Sequence, residues 1–123
     1  MMMIPAASYA DTGAQKPCVF HEHRPVSVSP YRIEERVGRT SFRVLRGAEV
    51  YVQAEPGLTA EWLRLKMTRH LAEKHPSMPD CALDVASVRV EVESAGAGFK
   101  VRIIAPDTAT GEEVLRRARL LVA

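Results

Sequence analysis

The segment Ser87-Val-Arg-Val-Glu-Val-Glu93 alternates apolar and charged residues without a break, and Phe99-Lys-Val-Arg-Ile103 does the same. Period-two alternation is the mark of a strand with one face on a core and one in water. The flexible stretch Ser94-Ala-Gly-Ala-Gly98 between them predicts a hairpin. Val88, Val90, Val92, Phe99, Val101 and Ile103 then point inward, while Glu91 and Glu93 meet Lys100 and Arg102 on the outer face. A second hairpin is expected upstream, from Ile33–Val37 through Gly38-Arg39 to Thr40–Leu45. Arg46-Gly47-Ala48 interrupts the alternation before Val50 and Val52 resume it. Gly47 is either a turn between two strands or a bulge within one.

Each hairpin is followed by a helical pattern. After the break at Glu55-Pro56-Gly57, Thr59 is an N-cap candidate and Glu61 an acid in the first turn. The helix is expected from about Ala60 to Lys74, ending ahead of Pro76. Ala60, Leu63, Met67 and Leu71 form its main apolar stripe, bordered by His70, and Trp62 and Leu65 project to another side. In the second unit Thr110 and Glu113 have the spacing of a capping box. Val114, Leu115, Ala118, Leu121 and Val122 make its buried stripe, with Arg116, Arg117 and Arg119 turned away.

A shift of 51 positions superposes Val50, Val52, Ala54, Thr59, Glu61 and Leu63 on Val101, Ile103, Ala105, Thr110, Glu112 and Val114. Any strand-to-helix junction selects Pro, Thr and Glu at such places, so the match supports an architecture more than a duplication. That architecture is α+β: an antiparallel sheet of four to five strands with two helices on one face, in the order (β)ββαββα. Residues 31–123 form this single domain, and residues 11–30, with Pro17, Pro25 and Pro30, read as an extended N-terminal arm.

Composition narrows the function by exclusion. With 123 residues, 46% hydrophobic and 26% charged, the chain can bury a core of its own. A net charge of +2 without a dense basic stripe gives no nucleic-acid footprint. No apolar run reaches the roughly 18 residues of a membrane span. Residues 1–10 end in Ser8-Tyr9-Ala10, with small Ser8 and Ala10 at the two positions a signal peptidase reads, and resemble the last part of a secretory signal. Export to a periplasmic or secreted location is therefore expected, the alternative being a cytoplasmic chain with an Ala-rich tail.

The chemistry-bearing residues cluster around the two cysteines. In an oxidising compartment Cys18 and Cys81 are expected to form a disulfide that pins the arm to the segment after the first helix. The competing reading is a copper or zinc site drawn from Cys18, His21, His23, His75, Met78 and Cys81, although no familiar ligand spacing is present. Catalytic machinery is not visible. No nucleophile has an adjacent base and orienting group in the sequence, and Gly96 and Gly98 lie in a hairpin rather than in a phosphate loop. The expectation is a non-catalytic binding domain without a cofactor, which takes a protein partner or a second copy of itself. Its contact surface is Trp62 and Leu65 flanked by Lys66 and Arg69, unless the arm covers them.

Overall fold

The computed structural model describes residues 18–73 and 81–122. A short helix, α1 (Val19–Glu22), leads into β1 (Pro25–Val37) and β2 (Thr40–Gln53). Helix α2 (Ala60–Ala72) and a single 3₁₀ turn (Ala82–Asp84) follow, then β3 (Arg89–Ala95), β4 (Gly98–Ile104) and α3 (Thr108–Leu120). The four strands form one antiparallel sheet in the order β1-β2-β4-β3, with the helices on one face. This is the α+β arrangement and the ββαββα order that the hydrophobic pattern implies.

The sheet is symmetric about its central pair. β2 and β4, the second strands of the two units, run antiparallel with Val50 opposite Val101. Each helix crosses over: α2 packs on β3, and α3 packs on β2 and β1. The inner face carries Ala48, Val50 and Val52 of β2 with Phe99, Val101 and Ile103 of β4, all buried. On the outer face Arg102 donates to Glu49 at 2.8 Å and pairs with Glu93 at 2.9 Å. The Glu49 hydrogen bond raises the Arg102 pKa above its ordinary value.

Gly47 is a bulge. β1–β2 pairing slips between Tyr31 and Arg32, and β2 runs on through it as one strand. Gly47 has φ 146°, and a Cβ there would lie 1.9 Å from the Ile103 carbonyl oxygen, so only glycine fits against β4. Gly111 serves a similar end on α3, whose backbone lies against Arg46 and Gly47.

Two expectations need correction. β1 begins at Pro25, so residues 25–30 belong to the sheet and not to an arm covering 11–30. Both Pro25 and Pro30 are accommodated because β1 is an edge strand, where a missing amide donor costs least. Nor is the chain extended just before it, since Val19–Glu22 is helical and Val19 and Phe20 are core residues. The second correction concerns the cap of α3. Asp107, not Thr110, is the N-cap, and its carboxylate accepts from the Thr110 amide at 2.7 Å. Thr110 therefore lies inside the helix, and the correspondence with Thr59 at a shift of 51 fails at this point. Glu113 is drawn instead to Arg116 and Arg117. Thr59 does cap α2, its hydroxyl accepting from the Trp62 amide at 3.1 Å. The expected signal remnant at residues 1–10 lies outside the described residues.

Candidate functional site

The outward face of α2 is built from positions 62, 65, 66 and 69, which the helical repeat places in one continuous row. Leu63 and Met67 on the opposite face are fully buried and fix the helix rotation. The row is consequently turned outward, with Trp62 47% and Leu65 50% exposed and Arg69 exposed beyond them. Trp62 and Leu65 thus form a small exposed apolar patch bordered by Lys66 and Arg69.

The Trp62 ring is held from two sides. The Lys66 ammonium sits 4.9 Å from its centroid, and Glu22 of α1 anchors that ammonium at 2.5 Å. The His23 ring meets Trp62 edge-on, with centroids 5.8 Å apart, and its Nδ1 is 3.1 Å from a Glu55 carboxylate oxygen. His23, Glu55, Pro56, Gly57, Leu58 and Trp62 line a shallow cleft of about 350 Å³. The segment after Cys18 thus touches the tryptophan at its border without covering it.

What brings that segment here is the disulfide. Cys18 and Cys81 are bonded, with Cα atoms 5.7 Å apart and a sequence separation of 63. Both are fully buried among Phe20, Leu63, Met67 and Leu83. The staple ties the start of α1 to the start of the 3₁₀ turn, both of which lie against α2.

A polar cluster lies beside the disulfide. His70, 5% exposed, sits with Nε2 3.0 Å from Oδ1 of the equally buried Asp84. One ligand-type atom from each of His70, Cys81 and Asp84 lies within 4.8 Å of the others. Arg117 of α3 donates to the carbonyl of Cys81 at 3.3 Å and to that of Asp84 at 3.5 Å. A cavity of about 390 Å³ opens alongside, lined by His70, Leu83, Asp84, Val85 and Ser87 among others.

The sequence-based site residues are thus divided. Trp62, Leu65, Lys66 and Arg69 share one outward face, and Cys18 is joined to Cys81. Of the other residues considered as metal ligands, His23 is engaged with Glu55 and Trp62, and His21 is exposed on α1. His75 and Met78 lie outside the described residues. Sequence reasoning missed Glu22 and Glu55 around Trp62 and the His70–Asp84 pair. His70 did border the apolar stripe of α2, whereas Asp84 gave no signal, because its partner is set by the fold of the turn. No helix among the described residues is long and apolar enough to cross a membrane. No protein-family model, curated protein or solved structure matches the chain.

Proposed function

We propose that this chain is a small exported interaction domain without catalytic activity, which binds a protein partner or a second copy of itself through Trp62, Leu65, Lys66 and Arg69. One observation carries the reading: Trp62 is held rigidly by Lys66 and His23 while half of its surface remains in water. A pre-oriented aromatic ring loses little freedom on contact, which is the property of residues that dominate binding energy at interfaces. Lys66 and Arg69 on the same row add a charged border that sets the register of a partner. The buried disulfide supports export, since such bonds persist in oxidising compartments.

The test is Trp62→Ala. Circular dichroism and urea unfolding are expected to stay close to the native protein, with a loss of no more than about 1 kcal/mol for a half-exposed side chain. Sedimentation and photo-cross-linking from position 65 in the host are expected to show the association of the native chain and its loss in the variant. Unfolding of Trp62→Ala would instead make the ring a core residue. A native chain that neither self-associates nor cross-links would contradict the proposal.

A further inference from the structure

Cys81 of the disulfide lies beside the buried His70–Asp84 pair, one donor atom of each within 4.8 Å of the others, and Cys18, bonded to Cys81, is the nearest source of a fourth donor for a transition metal. Structural zinc takes four ligands in tetrahedral array, with thiolate, imidazole and carboxylate all acceptable. Cys18 and Cys81 supply two sulfurs, His70 supplies Nε2 and Asp84 supplies Oδ1. We infer that, when the disulfide is reduced, Cys18, Cys81, His70 and Asp84 bind one zinc ion, so that the link between α1 and the 3₁₀ turn exists in two interchangeable forms.

Three of the four donors are already gathered. Zinc bonds near 2.0 to 2.3 Å at tetrahedral angles put nitrogen and oxygen ligands about 3.3 Å apart and two sulfurs about 3.8 Å apart. The His70–Asp84 separation is already 3.0 Å. Cys81 already lies within 4.8 Å of both, whereas Cys18 must part from Cys81 on reduction and swing its sulfur toward His70 and Asp84. Two thiolates and a carboxylate around a dipositive ion leave one negative charge. Arg117, hydrogen-bonded to the carbonyls of Cys81 and Asp84 and paired with Glu113, stands where an outer-shell cation would compensate it. The cavity lined by His70, Asp84 and Ser87 offers the ion a route from solvent.

The chemistry balances with a dithiol as reductant. The disulfide accepts two electrons and two protons, the dithiol leaves as its own disulfide, and the two cysteine thiols release their protons as zinc binds. Oxidation by a disulfide donor reverses the sequence and expels the ion.

Cobalt(II) tests this directly, because thiolate ligation produces a charge-transfer absorption that zinc does not. The reduced protein is expected to take up one cobalt per chain with that band and to lose it stoichiometrically to added zinc. The oxidised protein takes up none. Asp84→Asn and His70→Ala are expected to weaken uptake by on the order of tenfold or more, with the oxidised form of each variant serving as the folding control. Replacing His21 and His23 by alanine leaves uptake unchanged. The inference is overturned if the reduced protein shows no charge-transfer band, if it unfolds and zinc does not refold it, or if Asp84→Asn and His70→Ala bind cobalt as tightly as the native chain.

Discussion

Helices α2 and α3 are each 13 residues long, capped at their N-termini and packed on the same face of the sheet, yet they are secured in different ways. α3 sits close. Gly111 brings its backbone against the β2 bulge, and Val114, Leu115, Ala118 and Leu121 fill the core. α2 contributes only Leu63 and Met67 as fully buried apolar side chains. The rest of its attachment is indirect and polar: the Cys18–Cys81 bond ties together α1 and the 3₁₀ turn, whose Phe20 and Leu83 share its core cluster, and His70 reaches Asp84. Fewer of its side chains are committed to packing, and positions 62, 65, 66 and 69 remain on its outward face, whereas α3 uses its apolar residues on the sheet.

Removing the staple should separate the two helices most strongly. Cys18→Ser with Cys81→Ser is expected to cost about 4 kcal/mol, from the loop entropy of a 63-residue separation. Hydrogen exchange is expected to show the loss of protection in α1 and α2 first, with α3 and β2 protected until global unfolding. Simultaneous loss in both helices would show that α2 is no more dependent on the staple than α3.

The close approach of α3 is tested by Gly111→Ala. Alanine favours helix by about 1 kcal/mol over glycine. Its Cβ, however, would lie 2.9 Å from the backbone of Arg46 and Gly47, and overpacking against backbone costs more than that gain. A net loss of about 1 to 2 kcal/mol in urea unfolding is expected, and a gain would show that α3 can move off the sheet without penalty.

Asp107→Ala addresses how α3 begins. Loss of its bond to the Thr110 amide is expected to cost about 1 kcal/mol, while Thr110→Ala should leave the cap in place. The reverse ranking would restore Thr110 as the cap.

The smallest effect is the pH response of Glu113. Hydrogen bonds from Arg116 and then Arg117 hold its carboxyl at about 2, below the ordinary 4.5. A carboxyl lowered on folding contributes stability that is complete above about 4.5 and lost as the pH falls toward 2. The unfolding midpoints of the native protein and Glu113→Gln should therefore differ above pH 5 and converge on acidification. Parallel curves would mean that the exposed pair adds nothing measurable.

Much of this frame was legible because it is local. The β3–β4 hairpin, the Thr59 cap and the stripe of Leu63 and Met67 each follow from residues within a few positions of one another. The pairing of Cys18 with Cys81 was legible for a different reason, since two cysteines leave one way to pair within a chain. The bulge at Gly47 was not, because its cause is the Ile103 carbonyl on another strand. Asp107 was passed over because Thr110 and Glu113 have the spacing of a capping box, and the spacing does not reveal where the helix starts. His70 with Asp84, and His23 with Glu55 and Trp62, are meetings across 14 to 39 positions that only the fold arranges.

Trp62 is the single tryptophan of the chain, so it can report on its own surroundings. Protein labelled with fluorotryptophan gives one fluorine NMR resonance, whatever tryptophans a partner carries. The account predicts a solvent-sensitive resonance in the dilute chain that shifts and loses its solvent sensitivity in the associated form. A resonance shielded from solvent in the dilute chain, or one unchanged on association, would contradict the assignment of this face as the contact surface.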